Sequence, residues 1–409
     1  MKALVIAHGH PDFNVGGGEL AAYDLFCAIR RRKEVTSATF LGRTDNKHMR
    51  HGSIMLRRAG EYLWRQDMGE WFRLRTANFT SIVSSFREFL LFVKPDIIFM
   101  HHFVHMGIEA LMEIKKTLPN CRLVLTLHEY TAICHQSGQM VKKQNKKLCY
   151  RESFDDCSAC FPDFSGTDFW LRKHYIQRHF EAVNTFVSPS MFLRNRFIEW
   201  GIPEEHIFVI ENGQADQIVN QSYQANLFST FGFFGQITAF KGVDVFLQAI
   251  HLLPKDIRAK CRFEVHGANL ESQEAWLQEL IGTLRKPLIE EGVLRWVGPY
   301  ERSELPGRMK RIGWVIVPSI WWENSPMVIQ ESFVNQRPVI CSGIGGMAEK
   351  VRDRVDGFHF EVKNPMHLAE VLTEASRDFN VWVKMVKNIK APINYDQCAY
   401  EYMKLAMRK

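Results

Sequence analysis

Several stretches of the sequence carry residue types that could do chemistry. The first is Val15-Gly16-Gly17-Gly18-Glu19. Consecutive glycines let a backbone approach a bound group closely, and a helix starting there aims N–H groups and its positive dipole end at an anion. The run is not a G-x-G-x-x-G dinucleotide fingerprint, and no acidic residue follows a second strand at the expected distance. A tight strand–helix turn accounts for the glycines equally well. The second stretch runs from Ser319 to Glu331, with Glu323 and Glu331 eight positions apart and Pro326 placed for the first turn of a helix. Its helix start can meet a phosphate or a sugar hydroxyl, while the carboxylates accept hydrogen bonds from sugar or ribose hydroxyls. On their own, two glutamates are better read as solvated surface charges. His128 closes a third stretch, directly after the apolar run Leu123–Leu127, where ligands of open α/β sheets bind.

A fourth group is set apart from these. Cys134, Cys149, Cys157 and Cys160 fall in one insertion, 134–160, with the spacing C-x14-C-x7-C-x2-C, among Lys142, Lys143, Lys146 and Lys147. Four thiolates so spaced could hold a structural zinc in a tetrahedral site, with buried thiols as the alternative.

The elements that must position these residues alternate. Ala3–Ala7 is an apolar, β-branched run entering a loop, and Glu19–Arg32 shows helical spacing of Leu20, Tyr23, Leu25, Phe26 and Ile29. Strand-like runs at 95–100, 122–127 and 185–188, with a helical segment at 108–118, continue the series. A second series follows: strands at 231–235, 262–267, 314–318 and 338–341, and helices at 243–253 and 326–336. Apolar strands alternating with amphipathic helices predict parallel sheets covered on both faces. The aperiodic, Asn- and Gln-rich stretch 212–226 reads as the linker. The expected division is an α/β first domain over 1–215, a second over 225–390, and a final helix over 391–409 that returns to the first.

Composition bounds the function. The 409 residues are 46% hydrophobic and 24% charged, with thirty Phe and ten Trp, enough for two cores without disulfide staples. A net charge of +7 is too thinly spread to point to nucleic acid. No run approaches the length of a membrane span, the N-terminal apolar run is short for a signal peptide, and nine cysteines are an odd number, so a cytoplasmic location with reduced thiols is expected. Residues 50–75 interleave six arginines with Leu56, Leu63, Trp64, Trp71 and Phe72. Read as a helix, the segment would either pack with a solvated basic face or lie peripherally on the inner face of an anionic membrane.

The run WWENSPMVIQES resembles the E-x7-E segment of the retaining glycosyltransferase family 4. VGGGE, TLHEY at 126–130, FGQITAFKG at 234–242, FEVHG at 263–267 and PVICSGIGGMAEKV at 338–351 stand in that family's order, from about residue 3 to 360. The resemblance implies a GT-B fold, two Rossmann-like domains facing across a cleft. It also implies a UDP- or GDP-linked sugar donor and a glycan or lipid-linked acceptor, with no cofactor in catalysis. It would make Glu331 the ribose-binding carboxylate and place Glu323 beside the donor sugar. Asn324, Ser325, Pro326, Met327 and Val328 would face sugar and diphosphate, with Gly16, Gly17 and Gly18 also on the donor. Lys241 would neutralise the diphosphate, and His128 would sit near the donor sugar. Gln236 stands where the family often has Arg, so charge stabilisation would rest more on Lys241. Glu129 stands where many members carry Asp. A retaining transferase of cell-surface polysaccharide synthesis is the leading expectation. A binding or scaffold protein that has kept the fold without turnover is the alternative, to which Gln236 lends support.

Overall fold

The computed structural model describes residues 1–13, 16–217 and 226–407. The chain divides into two compact units, one formed by Met1–Gly213 with Ile393–Lys409, the other by Gln214–Pro392. Of the linker stretch, 218–225 lies outside the described residues, as does Val15 of the glycine run.

The first unit is built on an eight-stranded sheet. Its strands are β1 (Lys2–Ala7), β2 (Ser37–Thr44), β3 (Ile54–Arg58), β4 (Glu61–Arg65), β7 (Ile97–His101), β8 (Arg122–Thr126), β9 (Thr185–Ser188) and β10 (Ile207–Val209), with β5 (Met68–Glu70) and β6 (Arg75–Thr76) forming a separate ribbon. The order is β10-β9-β8-β7-β1-β2-β4-β3, parallel except for the antiparallel edge pair β3–β4. Central strands are apolar because helices cover both faces; every residue of β7 is buried. The helix Gly17–Arg30 and the last helix, Tyr395–Ala406, share one core, in which Ala22, Phe26, Ala399, Tyr402 and Met403 lie against Val5, Phe99 and Val124.

Register sets the positions that matter. Ala7 pairs with His101, and His101 pairs with Thr126, so β1, β7 and β8 end in one row. Residues following those strands therefore emerge side by side at the carboxyl edge of the sheet.

Residues 50–75 are not a helix. They form β3, the turn at Ala59-Gly60, β4, and most of the ribbon. Gly60 adopts φ +81°, which ends β3 in a tight reversal, and Gly52 adopts φ +82°. Trp64 is wholly buried and stacks on Phe86 at 4.4 Å. Arg58 binds Asp12 and Glu61, and Arg65 binds Asp67. The aromatic side chains thus fill a core instead of one face of an amphipathic helix. Among the described residues no helix is long and apolar enough to cross a membrane.

The second unit has six parallel strands, β11 (Thr230–Gln236), β12 (Arg262–Ala268), β13 (Leu294–Trp296), β14 (Trp314–Val317), β15 (Val339–Ser342) and β16 (Gly357–Phe360), in the order β13-β12-β11-β14-β15-β16. A switch in strand order falls between β11 and β14, where open sheets leave a crevice for ligands. Loops following those two strands carry Lys241 and Glu323.

Candidate active site

In the second unit, the loop after β14 buries Glu323 to 7% exposure. Its Oε1 accepts from Lys241 Nζ at 2.6 Å, Ser319 Oγ at 2.8 Å and Trp321 Nε1 at 3.0 Å. Burial alone would raise its pKa, but the Lys241 charge and the three donors outweigh it and hold Glu323 below the ordinary carboxylate value. Two glycines lock this arrangement. Gly242 adopts φ +68°, and a Cβ there would stand 1.9 Å from the Pro318 carbonyl oxygen. Gly346 N donates to the Glu323 carbonyl oxygen at 2.9 Å, and a Cβ at Gly346 would stand 1.8 Å from the Asn324 carbonyl oxygen. Close backbone approach, possible only for glycine, holds loop 319–326 between its neighbours.

Pro326 precedes the helix Met327–Val334, where its missing N–H costs nothing. Met327 and Val328 form the first helical residues, whose N–H groups lack intrahelical acceptors. Ser325 Oγ is buried without a protein partner. Glu331 sits one turn along the helix, near Tyr300, whose hydroxyl pKa is pushed up by burial and by the Glu331 charge. Gln236 is exposed at the end of β11. The local structure therefore brings Lys241 and Glu323 into direct contact, with Asn324 to Val328 leading into a helix start.

The first unit gathers histidines. Gly18 lies in the first turn of its helix, and a Cβ there would meet His8 Cε1 at 3.1 Å and His128 Cγ at 3.8 Å. Gly16 caps that helix in extended conformation and Gly17 begins it. Glu19, buried, pairs with His8 Nε2 at 3.0 Å. His128 Nε2 is 3.1 Å from His101 Nδ1. His101 is 1% exposed and stacks on Tyr402, whose hydroxyl is 2.9 Å from Thr126 Oγ1. The rings of His102 and His8 are 4.3 Å apart, and His102 Nε2 is 3.6 Å from Glu129 Oε1.

Crowding and burial keep His101, His102, His105 and His128 neutral. Burial and the neighbouring His8 lower His128 to about 4, and burial with His8 lowers His105 to about 4. His101 and His102 fall well below the usual histidine value for the same reason. Burial raises Glu129 to about 7. Neutral imidazoles and a carboxyl poised near neutrality can orient and exchange protons with hydroxyl-rich ligands. Sequence reasoning picked out His128 but passed over His8, His101, His102 and His105. Their signal was present: each lies at or just after the end of an apolar strand, in His8-Gly9-His10 and His101-His102-Phe103-Val104-His105.

The four cysteines of the insertion line one small cavity of about 30 Å³, with His135, Phe161 and Phe169 in its wall. Among the described residues all cysteines are thiols, none in a disulfide. Burial raises Cys134 to about 11 and Cys157 to about 12, which makes them poor nucleophiles.

Comparisons with known proteins decide the family. Residues 15–214 match the model described as Glycosyltransferase Family 4, and residues 217–391 match that of Glycosyl transferases group 1. The chain belongs to the family 4-type glycosyltransferases. An uncharacterised glycosyltransferase of Methanocaldococcus jannaschii is 27% identical over 214 residues, covering 51% of this chain and 56% of the relative. Lipopolysaccharide 1,2-N-acetylglucosaminetransferase of Salmonella typhimurium is 24% identical over 203 residues, 47% of this chain and 52% of the relative. The chain thus spans about half the length of the curated relatives it matches. The Anabaena protein HepE, solved with UDP and glucose, aligns with TM-score 0.67 at 16% identity over 99% of both chains. The fold of this glycosyltransferase is GT-B, with two Rossmann-like units.

Proposed function

We propose that this glycosyltransferase transfers a sugar from a UDP- or GDP-sugar to a glycan or lipid-linked acceptor, with retention at the anomeric carbon, in cell-surface polysaccharide synthesis. The observation that carries the reading is the contact of half-buried Lys241 with buried Glu323 beside the start of the helix Met327–Val334. UDP in the Anabaena structure supports a nucleotide-sugar donor, and the Salmonella relative supports a surface-glycan role.

In this reading, Glu331 accepts hydrogen bonds from the nucleotide ribose, and Glu323 with Asn324 to Val328 faces sugar and diphosphate. As the bond between the anomeric carbon and the phosphate oxygen breaks, the electron pair passes to the diphosphate. Lys241 and the helix N-terminus stabilise that growing charge. The acceptor oxygen attacks from the same face and its proton goes to a diphosphate oxygen. No carboxylate nucleophile is needed for the oxocarbenium-like transition state, unlike in two-carboxylate glycosidases. His128 contacts the donor sugar as a neutral hydrogen-bonding group. The reading assigns no cofactor and no catalytic metal: Asp155-Asp156 falls in the cysteine insertion and not beside a strand end.

Exposed, uncharged Gln236 favours one second reading, a nucleotide-sugar binder without turnover. A nucleotide-release screen over UDP- and GDP-sugars with a glycan panel, followed by the anomeric configuration of the product, tests both. Release abolished by Lys241→Ala and an inherited configuration are expected. Calorimetric binding without release from any acceptor would favour the binder.

A further inference from the structure

The insertion 134–160 has an organisation that sugar transfer does not use. Cys157 and Cys160 lie on the short helix Phe154–Cys160, three residues apart and so on one face. Cys134 ends a turn in which its N–H donates to the Tyr130 carbonyl, and Cys149 N donates to Met140 across a hairpin closed by the bridge Val141↔Leu148. A turn, a hairpin and a helix thus deliver four thiols to one cavity.

Beside them lies Arg172, wholly buried in the helix Gly166–Phe180. Its guanidinium donates to the carbonyls of Phe72 at 2.7 Å, Ala132 at 2.7 Å and Thr131 at 2.5 Å. Among the described residues no carboxylate forms an ion pair with it; the charges it feels are Glu152 first, then Cys134, Cys157 and Glu129. A buried cation costs several kcal/mol unless nearby negative charge completes it, and Glu152 is shared with Lys173 at 3.5 Å and Trp200 Nε1 at 2.9 Å. Lys143 Nζ stands 3.9 Å over the Phe161 ring, and Lys142 pairs with Asp156 at 2.9 Å in the cavity wall.

We propose that Cys134, Cys149, Cys157 and Cys160 form a structural Zn²⁺ site for which Arg172 is the buried counter-charge. Four thiolates around Zn²⁺ leave two negative charges in excess, and Arg172 supplies a fixed, buried cation beside a cavity walled by Phe161 and Phe169. Among the described residues no three His, Cys, Asp or Glu side chains are grouped closely enough to hold an ion. Binding therefore draws the sulfurs inward from the cavity wall to about 2.3 Å from the metal. Arg172 grips Thr131 and Ala132, so the site would tether the segment that follows His128 and Glu129.

Metal analysis of the full chain, purified without chelator after growth in zinc-supplemented medium, tests this. About one zinc per chain is expected, with most of it lost in Cys157→Ser/Cys160→Ser and kept in Cys27→Ser. Hydrogen exchange on the intact protein gives a readout independent of the variants. Chelation is expected to raise exchange across 130–160 and leave the second unit's strands unchanged. Less than about half an equivalent of zinc, iron in its place, a disulfide between any of the four cysteines, or zinc retained in the double variant overturns the site.

Discussion

Lys241 Nζ lies 2.6 Å from Glu323 Oε1, joining the loop after β11 to the loop after β14 through one buried carboxylate. Breaking that contact has two separable consequences. Lys241→Ala is expected to lower kcat by about 10²–10³-fold through lost stabilisation of the leaving diphosphate. It should also raise the pKa of Glu323, now left with only Ser319 and Trp321. Because the folded-state pKa of Glu323 is depressed, its contribution to stability is present above the ordinary carboxylate value of 4.5 and lost as pH falls through the folded value. Thermal melts against pH are therefore expected to show the variant losing more stability at neutral pH than at pH 3.

Two glycines of the second unit, Gly346 and Gly282, allow a paired stability measurement. Gly346→Ala would place a Cβ 1.8 Å from the Asn324 carbonyl oxygen, and the loop must move. A loss of about 1–3 kcal/mol is expected, with weaker nucleotide binding. Gly282, inside the helix Ala275–Glu290, has nothing within 4 Å of an added Cβ. Gly282→Ala is expected to stabilise by about 0.5–1 kcal/mol. Equal effects at the two positions in chemical denaturation would contradict the loop-locking role of Gly346.

At Gln236 the expected change is a gain. The side chain is exposed at the carboxyl end of β11, so arginine can be accommodated without repacking a core. An added guanidinium within reach of a diphosphate contributes roughly 1–2 kcal/mol, or about tenfold in affinity. Calorimetry with UDP and GDP should show Gln236→Arg binding one of them more tightly, with the gain shrinking as salt rises.

Legibility in the sequence followed local signals. Buried parallel strands such as β7 and β14 announce themselves as apolar runs between polar breaks, and the loop around Glu323 was marked by Pro326 and by its place after Trp314–Val317. Residues 50–75 were misread because arginines alternating with aromatics mimic an amphipathic helix. The deciding information, Trp64 stacked on Phe86, is a contact between residues 22 positions apart. The Lys241–Glu323 contact and the Arg172 cradle were equally hidden, since each joins residues that only the folded topology brings together.

The histidine edge of the first unit predicts an acid response with opposing parts. His128 and His105 are lowered to about 4, and His101 and His102 lie well below 6.5, chiefly through burial. Each is neutral in the fold but charges in the unfolded chain near pH 6.5. Their stabilisation is therefore present above 6.5 and lost as pH falls towards 4. Glu129, raised to about 7, works the other way: the folded state holds its proton better, so its contribution is greatest below 4.5 and lost as pH rises through 7. Four histidines against one carboxyl give a net loss of stability on acidification from pH 6.5. His128→Gln should flatten that loss and Glu129→Gln should steepen it, by up to roughly 3 kcal/mol at the extremes. Melting temperatures of the two variants against pH separate these signs, and slopes moving in the same direction would contradict the assignment of neutral histidines around a poised carboxyl.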